Sequence, residues 1–424
     1  MNEENKKTKK FLAIVGVIIL IAILVGLILA VVKPKTSTSS GATNVTSQSE
    51  TATQISEEFE NINYGSTTNV TSKTVNITEG GSYNLSGSYE SITINTTKDV
   101  ELNLNNVTIT NTNGPAINIE EADTVSIVLT GTNVVTATTT EDLDGAIYSK
   151  ADLAFSGTGT LEVKSNYDGI VSKDTLVIKS GTYTITTDDD GIRGKDNVAI
   201  VDGTFTIKAG GDGIKSTNEE DTSKGYIAID GGTFNITTGD DGINAVTEVV
   251  IKGGEFTITG KSDGVHADGL VQIDGGTFNI TSAEGIEGTY VKINNGTINI
   301  SASDDGINAT NKSTAYSVVV EINGGELTIK MGSGDTDGID ANGNLYINGG
   351  TINITGNSPF DYDGTAEKNG GTIIVNGEET NTITNQMMGG GMNGGNMGGQ
   401  QMNQDANMNG QQMRQNGRMN AGIR

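Results

Sequence analysis

An acidic residue followed by glycine recurs through the middle of the chain, and it would build a column of carboxylates. The glycines of this phrase are Gly145, Gly169, Gly191, Gly213, Gly242, Gly264, Gly285, Gly306, Gly338 and Gly364, most of them 21 or 22 residues apart. The acid is doubled or tripled as Asp188, Asp189 and Asp190, as Asp240 and Asp241, and as Asp304 and Asp305. Asp168, Asp212, Asp263, Asp335, Asp337, Asp361 and Asp363 fill other units, and Glu284 replaces Asp in one. Stacked in register, such carboxylates stand about 5–10 Å apart along one edge. Like charges that close raise each other's pKa unless a cation neutralises them. Calcium takes about six to eight oxygen ligands in flexible geometry, which suits carboxylates beside turn carbonyls. The candidate metal ligands are therefore Asp168, Asp188, Asp189, Asp190, Asp212, Asp240, Asp241, Asp263, Asp304 and Asp305.

Catalytic groups are less distinct. His266, in "SDGVHADG", has no Ser or Cys partner phrase and reads as structural. Arg193 and Lys195, in "DDDGIRGKD", lie beside an acidic triplet, the layout a base beside calcium would need to draw a proton next to a uronate carboxylate. Nearly every unit offers a lysine near an aspartate, so this layout is unspecific. Paired acids for glycoside hydrolysis are unspecific for the same reason.

The elements that must position the column follow from a second phrase in lockstep with the first. It runs Gly-Thr-Tyr at 181, Gly-Thr-Phe at 203, and Gly-Gly-Thr-Phe at 231 and 275, with variants onward to 370. Between the phrases, apolar and polar residues alternate in bursts of three to five, as at Leu176 and Ile178 or Tyr183 and Ile185. Period two means strand, and the Gly, Asp, Asn or Ser ending each burst signals a turn with positive backbone angles. Three short strands per unit of about 22 residues predict an all-β fold, a right-handed parallel β-helix; a leucine-rich repeat lacks its frame here, and a propeller needs longer units. Stacking predicts an inward column of Leu161, Tyr183, Phe205, Phe234, Phe256, Phe278, Ile298, Leu327, Ile352 and Ile373. Insertions near 216–226 and 308–317 would hang as loops at coil corners.

The flanks differ from the repeat. Residues 1–10 are basic, and Phe11 to Val32 is a 22-residue uncharged apolar run, long enough to span a bilayer of about 30 Å. The lysines before it predict a single-pass anchor with a cytoplasmic amino end and the bulk outside the cell. Residues 33–64 read as a Ser/Thr-rich linker, 65–384 as the β-helix, and 385–424, which hold eight of the ten Met, as a disordered tail. The chain has no Cys, hence no disulfide frame. Its net charge of −26 argues against direct nucleic-acid binding.

The phrases "GPAINI" (114–119), "DGAIYSKADLAFSGTGTLEV" (144–163), "DGIVSKDTLVI" (168–178), "DDGIRGKDNVAI" (189–200) and "GGDGIKSTNEEDTSKGYIAIDGGTFNI" (210–236) together resemble the clostridial cell-surface carbohydrate-binding β-helix family over about residues 65–380. The resemblance implies a shape related to pectate lyases, bound calcium on the Asp-Gly aspartates, and binding of cellulose and acidic polysaccharide such as polygalacturonate without cleavage. The expectation is a membrane-anchored protein of the bacterial cell surface whose partner is a polysaccharide and which is not an enzyme. Its candidate sugar contacts are Tyr148, Tyr167, Arg193, Lys195 and Tyr226. A pectate-type lyase and a structural adhesin are the alternatives.

Overall fold

The computed structural model describes residues 47, 49–333 and 336–385. The apolar run 11–32, the basic segment before it, the linker up to 46, Asp335 and the tail from 386 onward lie outside the described residues. Among the described residues no helix is long and apolar enough to cross a membrane.

The architecture follows from which strand each strand pairs with. In one coil Ile192–Gly194, Asn197–Ile200 and Thr204–Ala209 succeed one another. None pairs with its chain neighbour; each pairs in parallel with its counterpart one coil on, Ile192 with Ile214, Val198 with Ile227 and Phe205 with Phe234. Repeated along the chain, this makes a β-solenoid with three parallel strand columns. An antiparallel strand, Glu378–Thr380, closes the carboxyl end on Thr372–Val375.

The inward column predicted from the sequence forms in register from Leu161 to Ile373. Its aromatic stretch is a stack: Tyr183–Phe205, Phe205–Phe234, Phe234–Phe256 and Phe256–Phe278 lie 5.0, 4.7, 4.6 and 4.5 Å apart at interplanar angles of 7° or less. One coil before Leu161 the column holds Asn133, a buried amide in an apolar core. It is satisfied on both sides: Oδ1 accepts the Val107 N–H at 3.0 Å, and Nδ2 donates to the Thr130 and Thr160 carbonyls at 3.2 and 3.1 Å. Asn133 thereby joins the less regular amino-terminal coils to the regular ones.

The two glycine phrases serve different physical needs. The glycine before each Thr-aromatic pair has positive φ, as at Gly203 (φ +147), which is turn chemistry. The glycine of Asp-Gly does not. A Cβ on Gly191 would meet the Gly213 carbonyl oxygen at 2.6 Å and the Ile207 side chain at 2.7 Å. Asp-Gly is therefore a close-approach point between coils rather than the positive-φ turn expected. Gly191→Ala is expected to destabilise the full chain by about 1–3 kcal/mol, read as a lowered urea midpoint, because a backbone atom must shift.

The stretch read as linker contains a docked helix, Ala52–Glu58. Thr51 and Gln54 form a reciprocal capping box at its start, with bonds of 3.2 and 3.0 Å. Three apolar residues of the stretch, Ala52, Ile55 and Phe59, fall on one helical face. They pack on Ala154, Val177, Ala199, Ala228 and Tyr226, outside the second strand column. The small outward residues there let the helix approach, and the Thr53 N–H donates to Asp230 at 2.9 Å. The β-fold thus carries a helical strap that composition alone concealed.

Candidate functional site

The Asp-Gly aspartates begin the first strand of their coil, as at Asp168 and Asp263, or stand two residues before it, as at Asp190, Asp212 and Asp241. Their backbone N–H points along the solenoid toward the previous coil, where the equivalent carboxylate receives it. Asp168 Oδ1 accepts from the Asp190 N–H at 3.0 Å, Asp190 from Asp212 at 2.8 Å, Asp212 from Asp241 at 2.9 Å and Asp241 from Asp263 at 2.8 Å. Asp305 accepts from Asp337 at 2.9 Å. The column is first of all a hydrogen-bond ladder, and its five rungs Asp168, Asp190, Asp212, Asp241 and Asp263 are buried.

Beside it runs a second column, three residues after each ladder position. It reads Val171, Arg193, Lys215, Asn244, His266, Glu287, Asn308, Asp340 and Asp361 in strand register. Its charge changes along the axis. Arg193 pairs with Asp144 and Asp168. Lys215 Nζ lies 2.8 Å from Asp212 and 3.4 Å from Asp190. Asn244 donates to Asp241 at 2.7 Å. His266 Nδ1 lies 2.7 Å from Asp263 and 3.0 Å from Glu287, with Nε2 3.2 Å from Asp268. Lys312 adds a cation 2.5 Å from Glu287. From 144 to 287 the ladder therefore carries its own cations.

Burial still leaves a mark. It outweighs Arg193 and, with Asp190 and Asp144, pushes Asp168 up to about 7. Burial with Asp263 and Asp212 pushes Asp241 up to about 7. Burial opposes charge on His266, but Asp263, Asp268 and Glu287 lift it to about 11. Glu287, though buried, is held down at about 2 by His266 and Lys312. His266 is thus a fixed imidazolium. As a group raised on folding, it contributes stability that is complete below its unfolded value near 6.5 and is lost as pH rises toward about 11. It is the one His in the chain, so its ring proton resonances need no assignment. They are expected not to titrate between about pH 5 and 9; an ordinary titration near pH 6.5 would refute the ion cluster.

The carboxyl-terminal rungs are built differently. Asp340 faces Asp305, Asp361 and Asp337, and burial plus these charges pushes it up to about 7. Asn308, 8% exposed, donates Nδ2 back to Glu284 at 3.0 Å and Glu287 at 3.3 Å. Among the described residues, its Oδ1 is buried without a hydrogen-bond partner, and so is Asp361 Oδ1. Carboxylate and amide oxygens are hard donors, the chemistry that calcium takes in preference to a soft metal.

The expected metal residues divide by exposure. Asp188, Asp189, Asp240 and Asp304 project outward, and Asp305 is half-buried. One oxygen each of Asp168, Asp189 and Asp190 comes within 4.8 Å of the others, as for Asp212, Asp240 and Asp241. Asp363 is no rung. Ser358 takes the ladder position opposite Asp337, and Phe360 fills the core opposite Ile339, so Asp363-Gly364 falls after the strand Ser358–Tyr362.

The expected sugar contacts are not brought together. Tyr148 and Tyr226 are 4% and 6% exposed, Tyr148 under Lys173 and Tyr226 under the helical strap, so neither offers a ring face. Tyr167 is half-buried, Arg193 is engaged by the ladder, and Lys195 reaches Glu220 at 3.4 Å. The insertion near 216–226 folds back: Asn218 donates to the buried Asp196 at 2.7 Å, and Lys224 pairs with it. The reading of the residues missed Lys173. Its ammonium lies 3.6 Å from Asp144, and burial together with Arg193 lowers its pKa. It stands three residues past the Asp168-Gly169-Ile170 phrase, outside the motif itself.

A solved structure described as the polysaccharide lyase-like protein from C. thermocellum, in a gadolinium derivative, is 34% identical to this chain. The match covers 48% of this chain and 88% of that one, with a TM-score of 0.46. No curated protein gives a significant match. A family model described as carbohydrate-binding domain-containing protein matches residues 71–263 and 257–397, most of the chain and nearly all of the solenoid. The chain therefore belongs to the carbohydrate-binding domain-containing protein family.

Proposed function

We propose that this protein is a calcium-dependent binder of acidic polysaccharide, anchored by residues 11–32 and exposed outside the cell, and that it is not an enzyme. We take its solenoid to be right-handed, the hand that parallel crossovers overwhelmingly adopt. The observation that carries the reading is the imbalance along the second column. Cations accompany the ladder as far as Glu287, whereas beyond it the second column turns to Asn308, Asp340 and Asp361, with Asp340 raised by its acidic neighbours and, among the described residues, the Asn308 and Asp361 Oδ1 atoms buried without a hydrogen-bond partner. Calcium held by Asp305, Asp340, Asp361 and Asn308 would supply local positive charge on a chain of −26 and let uronate carboxylates approach.

The basic groups beside the ladder support binding over catalysis. Arg193 and Lys215 are committed to aspartates that raise their pKa, which makes them poor proton acceptors. Lys173, with its lowered pKa, favours a second reading as a lyase.

Mixing the full chain in detergent with polygalacturonate, in calcium or in chelator, separates these. Co-sedimentation that needs calcium, without ultraviolet absorbance from unsaturated product, is expected. Asp340→Asn combined with Asp361→Asn is expected to remove the calcium requirement together with at least about tenfold of the affinity. Rising absorbance abolished by Lys173→Met would establish the lyase instead. Binding indifferent to chelator would refute the calcium reading.

A further inference from the structure

The helical strap Ala52–Glu58 lies on a track prepared for it. Along the second strand column the outward residues read Ser126, Ala154, Val177, Ala199 and Ala228 in register. One coil earlier the same position holds Glu101, and after Ala228 it turns to Val250, Gln272 and Lys292. Small side chains thus run over the coils from Ser126 to Ala228 and give way to longer ones on either side.

The fastenings show which way the strap runs. At its start the Thr53 N–H donates to Asp230 at 2.9 Å. Just past its end Lys179 Nζ donates to the Phe59 carbonyl at 3.1 Å and to Glu60 at 2.7 Å. Farther on, the Tyr64 hydroxyl donates to Ser126 Oγ at 2.7 Å. The strap therefore runs backwards over the coils. From Asp230 to Lys179 is two coil steps, and the rings Tyr183, Phe205 and Phe234 of those coils stand 5.0 and 4.7 Å apart. As helix, Thr53 to Phe59 advances about 9 Å. The two lengths match, so the helix lies along the solenoid axis.

Coils of a solenoid touch only their neighbours. The strap adds ties of another kind, between residues 177, 120 and 62 positions apart in the chain. Its apolar face packs in a cluster of its own, outside the main core. It is a second layer over coils that already have a core.

The path of the chain gives this layer a mechanical consequence. The first coil strand, Thr67–Asn69, is exposed and follows the strap in sequence. A pull on the chain before residue 50 meets Thr53, Ile55 and Phe59 before it meets any coil. Directed toward the carboxyl end of the solenoid, that pull runs parallel to the helix and loads its contacts together. A pull that enters at the first coil instead peels strands one at a time from an open edge.

We infer that the strap is a load-bearing splint: it takes tension from the upstream chain and spreads it over the coils from Ser126 to Asp230, so that the amino-terminal coils do not unzip. The inference takes from the anchor proposed above only the source of that tension.

Single-molecule pulling on the full chain in detergent tests this, with one handle at the carboxyl terminus. The chain has no Cys, so a single cysteine places the other handle, either Ser47→Cys before the strap or Ser72→Cys in the first coil. At one constant force the time to first rupture is expected to be at least about tenfold longer from residue 47 than from residue 72, because forced unfolding reads the barrier to opening. Ile55→Ser with Phe59→Ser is expected to bring the longer lifetime to within about threefold of the shorter. Ile55→Val with Phe59→Leu, which keeps the apolar face, is expected to retain most of the difference. Equal lifetimes from the two handles, or a serine pair that leaves the difference intact, overturns the inference. The comparison of handles leaves the strap unaltered, so it decides even where the serine pair disturbs the coils. No membrane enters the experiment; phase partitioning of the same chain into detergent reads the anchor separately.

Discussion

Asp212→Ala is expected to cost the full chain about 3–5 kcal/mol of stability, because it removes one partner of a buried charged pair. Asp212 is almost wholly buried. Its Oδ1 takes the Asp241 N–H at 2.9 Å, and its Oδ2 lies 2.8 Å from Lys215 Nζ and 3.3 Å from Asn244. Alanine would strand a buried N–H and leave Lys215 with Asp190 alone, at 3.4 Å. Asp212→Asn is expected to cost less, since an amide oxygen can still accept the N–H while the charge is lost. Urea unfolding followed by far-ultraviolet circular dichroism measures both variants. Because a solenoid is held by nearest-neighbour contacts, the loss should be local, and hydrogen exchange should quicken in the coils from about 190 to 263 before the ends. An alanine variant within about 1 kcal/mol of wild type would mean that the ladder is ornament rather than scaffold.

Phe234→Ala is expected to cost about 3–5 kcal/mol. Its ring lies between Phe205 at 4.7 Å and Phe256 at 4.6 Å, inside a stack whose neighbours cannot collapse into the gap without leaving register. Phe234→Leu should cost less than about 1.5 kcal/mol, because the same column already accepts Leu161 and Leu327 in its other rungs. Equal unfolding midpoints for the two variants would contradict the packing argument.

The family and the solenoid were both legible in the sequence, and the reason is periodicity. Parallel pairing one coil on puts like residues above like, so Phe205, Phe234, Phe256 and Phe278 must repeat at the coil length if they stack at all. Acidic residues before Gly191, Gly213 and Gly242 repeat for the same reason. Local chemistry also marked positive-φ positions such as Gly203, where a single residue type answers a single backbone need.

What repeats, however, does not reveal its partner. The sequence could show that aspartates would stack, but not that each carboxylate receives the next coil's N–H, nor that Arg193, Lys215 and His266 neutralise the rungs they adjoin. Those facts depend on side chains from different coils arriving within about 3 Å of one another, and only the coil-to-coil register sets that distance. The same holds for Tyr148 and Tyr226, polar-tipped rings that a sequence presents as surface contacts and packing places under Lys173 and the strap. Ser358 could take the place expected for Asp363 because a ladder position is defined by its strand neighbour, Asp337, and not by its motif. The one-dimensional pattern determined the coil and its columns; the lateral packing of those columns decided which carboxylates take the next coil's N–H and a neighbouring cation and which project outward.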